Sequence, residues 1–174
     1  GCGNTGTLID APGTTPGNRG TALSCDGSND GVNCGYSNYD LTSELTVILW
    51  VKVNSATGVY QTLIQKSPFV NPFSIQLDGQ NYVRTCLRTT GNTVYLLSKQ
   101  KISSGVWHQI VLTYGQGRRS IYIDGNFDAS DTLTGNLSVA ADKFTVLGLS
   151  PVNTYPLRGA LDEVAIYNRL LSAA

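Results

Sequence analysis

The sequence is poor in the residue types on which catalysis depends. Among its 174 residues it has a single histidine, His108, and only two glutamates, Glu44 and Glu163. A glycosidase built on a β-sandwich needs two carboxylates on one strand face, about 5–10 Å apart. Asp162 and Glu163 are adjacent, so on a strand their side chains point to opposite faces. We therefore expect that the protein is not an enzyme.

Packing explains the one histidine better than catalysis does. His108 falls in register with Ile110, Leu112 and Tyr114, which form the apolar face of an alternating segment. A hydrogen-bonded core histidine is therefore favoured over the general base of a lyase. A polysaccharide hydrolase or lyase remains an alternative.

The sequence also has no excess of either charge and no long apolar run. Its 12 basic residues balance its 12 acidic residues, which gives a formal net charge of zero. A nucleic-acid binder would show a basic patch, so we expect no nucleic-acid partner. The longest apolar stretch, residues 45–53, is interrupted by Thr46 and Lys52 and is shorter than the roughly 18–20 residues of a membrane span. We therefore expect no membrane span.

The chain is instead a succession of short alternating segments separated by turns. Residues 107–114 alternate in polarity, residues 120–123 lead into the hairpin signal Asp124-Gly125, and residues 159–167 form a closing strand. About a dozen such short strands predict a two-sheet sandwich. No linker divides the chain, so residues 1–174 are expected to form one domain.

Two of the four cysteines flank a predicted tight turn. Cys25 and Cys34 lie on either side of a Ser-Asn-Asp-Gly sequence at residues 28–31. If the two middle residues form the loop, the cysteines face each other across a hairpin and a disulfide can form. Such a bond would add roughly 2–3 kcal/mol. The alternative is that both are free thiols in the core. Cys2 and Cys86 are expected to stay unpaired.

Several motifs occur in order along nearly the whole chain. They are NTGTL at 4–8, GTALSCDGSND at 20–30, LTVILWVK at 45–52, WHQIVLTY at 107–114, IYIDG at 121–125 and GALDEV to YNRLL over 159–171. Together they resemble the laminin-G-like branch of the concanavalin A-like lectin/glucanase superfamily. The resemblance implies an all-β jelly-roll sandwich of two antiparallel sheets. It also implies a domain cut from a longer secreted or surface-displayed protein.

The resemblance further implies a structural calcium ion. In a jelly roll the two ends of the chain lie side by side, which would bring Asp26, Asn29 and Asp30 next to Asp162. Similar folds often bind calcium there through one late-strand aspartate and loop carbonyls, and hard cations prefer such oxygen ligands. Alternatively, Asp26 and Asp30 form Asx turns and Asp162 caps backbone amides.

Exposed rings and arginines are the candidate glycan-binding residues, because sugar C–H faces stack on rings and hydroxyls need planar hydrogen-bonding partners. In the segment that begins at Tyr82, alternation places Tyr82, Arg84 and Arg88 on one face, away from the core. In the segment at 46–52 it places Trp50 opposite the core row. If both strands lay in one concave sheet, they would form a single cleft. The alternatives are a Trp50 buried under a loop and arginines that are solvated or paired.

Aromatic residues in predicted loops add candidates at the rim. Tyr36, Tyr39, Phe69 and Tyr155 lie in segments that contain Gly, Asn or Pro, and loop residues often carry function. Tyr39 and Phe69 could equally plug the ends of the sandwich.

These observations favour a non-catalytic recognition module of a secreted or surface protein, and the resemblance implies carbohydrate as the ligand class. The expected partner is a glycan or another cell-surface ligand, with other domains of a parent protein as neighbours. The main alternative is an adhesion or structural domain that binds protein or acts as a spacer.

Overall fold

The computed structural model describes residues 5–36, 43–67, 72–90, 92–139 and 144–172. These residues contain fourteen strands and no helix: β1 (Thr7–Ile9), β2 (Gly13–Pro16), β3 (Thr21–Asp26), β4 (Gly31–Tyr36), β5 (Leu45–Val53), β6 (Gln61–Lys66), β7 (Phe73–Leu77), β8 (Tyr82–Arg88), β9 (Thr93–Lys101), β10 (His108–Gly115), β11 (Arg118–Ile123), β12 (Asn126–Thr132), β13 (Phe144–Leu147) and β14 (Arg158–Tyr167). Within these ranges, nothing is both helical and apolar over the length that a membrane crossing requires.

The strands form two sheets. In the described part of the chain, the first sheet has the order β1-β4-β13-β6-β7-β8-β9 and the second has the order β12-β11-β10-β5-β14-β3-β2. Every paired strand runs antiparallel to its neighbour. The predicted all-β jelly-roll sandwich of two antiparallel sheets is confirmed.

The core lies between the sheets and follows from alternation along the strands. On β5, Val47, Leu49, Val51 and Val53 are fully buried, whereas the residues between them are only partly buried or polar. The first sheet contributes its own inward row, of which Leu77 is one member. Burying an aliphatic side chain of this size contributes roughly 1.5–3 kcal/mol. The period-2 pattern therefore determines which face of each strand turns inward.

Cys25 and Cys34 do not form the predicted disulfide. Cys25 lies on β3 in the second sheet and Cys34 on β4 in the first, and both are free thiols. The predicted hairpin is wrong because residues 27–30 carry the chain from one sheet to the other instead of folding it back within one sheet. Burial, with smaller contributions from the charges of Asp30 and Asp26, raises the pKa of the Cys25 thiol to about 12. Cys86 is also a free thiol, as expected.

Candidate ligand-binding surface

A row of polar side chains crosses the outer face of the first sheet. Thr62 on β6 pairs with Gln76 on β7, Gln76 pairs with Arg84 on β8, and Arg84 pairs with Leu97 on β9. Their neighbours in sequence, such as Leu77 and Val83, are core residues. Because successive side chains on a strand point to opposite faces, this row points away from the core.

Arg84 is the centre of this row, and its guanidinium is held in place from three sides. Its Cζ lies 4.8 Å from the ring centroid of Tyr60 and 3.8 Å from that of Tyr95. Its Nη1 donates a hydrogen bond of 2.8 Å to Oε1 of Gln76. Gln76 Nε2 in turn donates to Oγ1 of Thr62 at 3.3 Å, and both of these side chains are buried. The arginine is therefore pre-positioned rather than free to move with solvent.

A cleft of about 460 Å³ lies beside Tyr60. Tyr60 meets Tyr155 edge-to-face there, with ring centroids 5.7 Å apart. The rings remain accessible: Tyr60 is 37% exposed, Tyr155 45% and Tyr95 54%. Three exposed tyrosines around one arginine form a surface that offers ring faces and a fork of hydrogen-bond donors together. We call Tyr60, Arg84, Tyr95 and Tyr155 the tyrosine–arginine surface.

Backbone contacts fix the loops that carry the two cleft tyrosines. The carbonyl of Tyr155 accepts the N–H of Thr62 at 2.7 Å, which fastens its loop to β6. Tyr155 has a φ of 54°, a left-handed conformation that bulky residues rarely adopt and that functional loops often contain. Gly58 donates its N–H to the carbonyl of Gly79 at 3.1 Å, and a Cβ at Gly79 would lie 2.6 Å from the Gly58 carbonyl. Gly79 is therefore required for the close approach that supports the Tyr60 loop.

A second row lies next to Arg84 on the same outer face. Gln65, Ser74, Cys86 and Tyr95 are successive cross-strand neighbours, and the first three are buried. Burial raises the pKa of the Cys86 thiol, an effect that the nearby charges of Arg84 and Arg119 partly oppose. The floor beside the tyrosine–arginine surface is thus neutral and polar.

The structure brings some predicted site residues together and separates others. Arg84 and Tyr155 both belong to the tyrosine–arginine surface. Tyr82 is half-buried at the start of β8 and Arg88 is exposed at its end, both on the face of Arg84 by alternation. The side chain of Tyr36, like Tyr39 and Phe69, lies outside the described residues.

Trp50 does not share a cleft with Arg84. It is half-buried on β5 of the second sheet, opposite Gln109 and Asp162, whereas Arg84 is on the first sheet. The outer faces of two stacked sheets point in opposite directions, so the predicted single cleft is wrong. Beside Trp50, the outer face of the second sheet carries an edge-to-face pair, Tyr122 and Phe127, with ring centroids 5.8 Å apart.

Tyr60, Tyr95 and Gln76 are site residues that the sequence analysis missed. Tyr95 could have been predicted from the turn before Thr93. If that turn pairs Arg88 with Thr93, the register places Tyr95 opposite Cys86, next to Arg84. No local signal identified Tyr60, which reaches Arg84 from a loop between β5 and β6. Gln76 lies in the short strand β7, and its sequence context alone does not indicate that its side chain contacts Arg84 on β8.

His108 holds a turn in place at the end of the second sheet. Its Nδ1 lies 2.7 Å from Oδ2 of Asp124, and its Nε2 accepts the backbone N–H of Ser103 at 3.2 Å. Ser103 Oγ lies 2.8 Å from the same Nε2. The ring is hydrogen-bonded, as expected, but it is half-buried at the edge of the sandwich and not enclosed in the core. The ring therefore connects the loop before β10, at Ser103, to the turn between β11 and β12, at Asp124.

The four predicted calcium ligands do not form one site. Asp26 Oδ1 accepts the N–H of Ser28 at 2.7 Å, and Asp30 Oδ2 accepts the N–H of Asp26 at 2.9 Å, so both stabilise the turn. Asp26 pairs with Arg158 in register, four residues before Asp162, which places Asp26 and Asp162 about 13 Å apart along the strands. Where the structure describes the chain, no three metal-binding side chains of the His, Cys, Asp or Glu type come together. The predicted grouping, which includes the exposed Asn29, is therefore wrong, while Asp162 remains a candidate on its own.

Asp162 is buried where β14 meets the N-terminal loop. It is 8% exposed, its Oδ2 accepts the N–H of Arg19 at 2.9 Å, and its Oδ1 accepts the N–H of Glu163 at 2.9 Å. A Cβ at Gly17 would lie 2.5 Å from Oδ2 and 3.2 Å from the carbonyl oxygen of Arg19. The backbone nitrogen of Ala22 would also lie 3.2 Å from that Cβ, so two oxygens and one backbone nitrogen approach a point that only a glycine leaves open.

The two stacked antiparallel sheets place the protein in the class of jelly-roll β-sandwich domains. The chain belongs to the concanavalin A-like lectin/glucanases superfamily, since a laminin G-like family profile matches residues 26–174. No curated protein matches the chain significantly in sequence.

Solved structures share this fold at low sequence identity. The binding domain of Paraclostridial Mosquitocidal Protein 1 is 16% identical with a TM-score of 0.79, and the match covers 98% of this chain and 45% of that one. The receptor binding domain of botulinum neurotoxin C/D mosaic serotype is 15% identical with a TM-score of 0.77, over 98% of this chain and 45% of that one. This chain thus spans about half of each toxin structure.

A third solved structure is domain 4 of an extracellular GH43 arabinanase from Geobacillus stearothermophilus, in complex with arabinotriose. It is 21% identical with a TM-score of 0.75, and the match covers 97% of this chain and 84% of that one. At these identities the likenesses establish the fold.

Proposed function

We propose that the protein is a non-catalytic carbohydrate-binding module and that the tyrosine–arginine surface is its binding site. The observation that carries the proposal is Arg84 fixed between Tyr60 and Tyr95, with Tyr155 beside them. Sugar rings present C–H faces that stack on aromatic side chains, and their hydroxyls accept hydrogen bonds from a fixed guanidinium. A pre-positioned site loses little side-chain entropy when a ligand binds.

Two further observations support a binding role without catalysis. The arabinanase domain that shares the fold was solved with an oligosaccharide, arabinotriose. Strands β6 to β9, which carry Arg84 and its neighbours, contain no Asp or Glu at all. A glycosidase mechanism needs two carboxylates at the scissile bond, whereas these strands supply none and the cleft beside Tyr60 has one in its described lining, Asp78. We further propose that the module belongs to a secreted or surface-displayed protein with other domains.

Tyr95→Ala tests this proposal in a glycan microarray, followed by isothermal titration calorimetry on the ligands found. We expect binding to weaken about tenfold or more, because a lost ring contact costs on the order of 1–2 kcal/mol. Thermal stability should change little, since Tyr95 is more than half exposed.

Phe127→Ala is the matched control for Tyr95→Ala. Phe127 is 51% exposed and lies on the outer face of the second sheet. The Phe127→Ala variant should bind glycan with the wild-type affinity. If no glycan is retained by the wild type, the proposed function is refuted. If Phe127→Ala removes binding and Tyr95→Ala does not, the site lies on the second sheet instead.

We also propose that calcium binds at Asp162. The support is that the buried Asp162 carboxylate and the Arg19 carbonyl lie close together at Gly17, beside the Ala22 backbone nitrogen, and that each carboxylate oxygen keeps a lone pair beyond its one N–H bond. These two groups would supply part of the roughly six to eight oxygens that calcium takes. When bound, calcium would add oxygen coordination that ties the N-terminal loop to β14. Asp162 itself holds the loop through the Arg19 N–H and so orients the two segments.

A further inference from the structure

We propose that the tyrosine–arginine surface selects glycans that carry a carboxylate, such as uronic or sialic acids, and that Arg84 is the specificity-determining residue. This inference rests on the proposed function and names the chemical class of its ligand. It follows from the charge of this half of the sheet, the unpaired charge of Arg84 and the direction of its free donors.

The first observation is the uneven distribution of charge in a chain whose net charge is zero. Strands β6 to β9 contain five basic residues and no acidic one. The basic residues are Lys66, Arg84, Arg88, Lys99 and Lys101. Lys66 is buried, whereas Arg84 is half-buried and Arg88, Lys99 and Lys101 are exposed. These last four residues give this half of the first sheet a positive surface, with no acidic residue on the strands themselves. Such a surface attracts anions and raises their association rate.

Two carboxylates border this half of the sheet, and both accept backbone N–H groups. One of them, Asp78, also lines the cleft beside Tyr60. Asp78 Oδ1 accepts the N–H groups of Gln80 and Tyr82, each at 2.9 Å. Asp128 accepts the N–H of Lys99 at 2.6 Å and that of Gln100 at 3.1 Å. These two aspartates stabilise turns and strand ends, and neither is hydrogen-bonded to Arg84.

Arg84 itself has no anionic partner in the part of the chain that the structure describes. The described residues contain two ion pairs, His108 with Asp124 and Arg119 with Asp131, and Arg84 takes part in neither. Its one protein acceptor is the neutral Oε1 of Gln76. A half-buried guanidinium without a counter-ion carries an unrelieved desolvation cost. A bound carboxylate would relieve this cost, whereas a neutral hydroxyl would not.

The N–H groups of Arg84 that Gln76 does not use are the donors that could bind a carboxylate. The Arg84 Cζ lies over the rings of Tyr60 and Tyr95, and the hydrogen bond to Gln76 uses only Nη1, so Nε and Nη2 have no acceptor among the described residues. A planar guanidinium edge matches the two oxygens of a carboxylate with two parallel hydrogen bonds. Arg88 lies four residues further along the same face and adds charge without such a clamp.

The test compares each acidic glycan with its neutral counterpart. The wild type is applied to an array of uronic-acid and sialic-acid oligosaccharides printed beside their carboxyl-methyl esters, and calorimetry gives affinities for the matched pairs. We expect the acids to bind about tenfold or more tightly than their esters, because hydrogen bonds to a charged group are the stronger ones. Arg84→Gln should abolish this preference, and Arg84→Lys should restore only part of it because lysine lacks the fork.

Arg88→Gln is the matched control, since it removes the same charge from the same strand face. It should preserve most of the preference for acids. Equal loss in Arg88→Gln and Arg84→Gln would overturn the role of Arg84. Equal binding of acids and esters, with both lost in Tyr95→Ala, would overturn this inference and leave the proposed function intact. Failure to bind any array glycan would overturn both.

Discussion

Arg119 has an environment unlike that of any other cation among the described residues. Its side chain is 0% exposed, and it pairs with Asp131 on the neighbouring strand. It also donates to the carbonyls of Val94, at 2.8 Å, and Thr85, at 3.4 Å, in the opposite sheet. One arginine of the second sheet thereby satisfies carbonyls of the first and connects the two layers.

Replacing this arginine tests its role in holding the sheets together. Arg119→Met leaves Asp131 without its partner and removes the hydrogen bonds to the two carbonyls, so we expect the free energy of unfolding to fall by about 2–4 kcal/mol. Urea denaturation followed by circular dichroism measures the change. Arg118→Met is the control, because Arg118 is exposed, hydrogen-bonds Ser130 and lies 5.8 Å from the exposed ring of Phe127, and its cost should stay below about 0.5 kcal/mol. Equal losses in the two variants would contradict the bridging role.

At the scale of elements, β14 has a local irregularity next to its buried carboxylate, Asp162. Its pairing with β5 shifts between Asp162 and Ala165, and Glu163 has a φ of 47°. A bulge of this kind redirects the side chains beside it. Asp162 is the last regularly paired residue before this shift, opposite Trp50, and its carboxylate accepts the Arg19 N–H from the turn between β2 and β3.

The calcium proposal predicts a melting temperature that responds to the ion. We expect calcium at 100 times its dissociation constant to raise the melting temperature by about 5–10 °C, because it binds the folded state only. Scanning calorimetry with calcium and then with a chelator measures this shift in the wild type and in Asp162→Asn, which should not respond. Asp26→Asn, which changes a turn about 13 Å away along the strands, should keep the wild-type response. A wild type insensitive to calcium would refute the proposal.

At the scale of the whole molecule, the two outer faces are separate surfaces. The first sheet presents Tyr60, Arg84 and Tyr95, while the second presents Trp50 and the Tyr122–Phe127 pair. The core lies between them, so a change on one face does not contact the other. Sites on opposite faces are expected to contribute independently to binding.

Trp50→Ala tests this separation. We expect its glycan affinity to stay within about twofold of wild type, because distant sites without shared partners behave additively. Its thermal stability should fall, since the ring is half-buried beside Gln109. Calorimetric titration on protein shown to be folded by circular dichroism makes the comparison. A large loss of affinity would mean that the ligand contacts the second sheet.

Single strands were more predictable than their arrangement. Alternation correctly placed Val47 inside and Arg84 outside, because the pleat alternates side chains whatever the partner strand is. It failed for Cys25 and Cys34, because the same pattern fits a hairpin and a crossover between sheets. Tyr60 was missed for a related reason, since a loop residue has no register that sequence spacing can reveal.

The sequence by itself determined the class of fold, the inward face of each strand and the absence of acidic residues from strands β6 to β9. These properties depend on local backbone geometry and on composition, which neighbouring strands do not alter. Only the tertiary structure decided that Arg84 lies between Tyr60 and Tyr95 and that Trp50 is on the other sheet. Those relations depend on strand order and register, which arise from contacts between residues far apart in the chain.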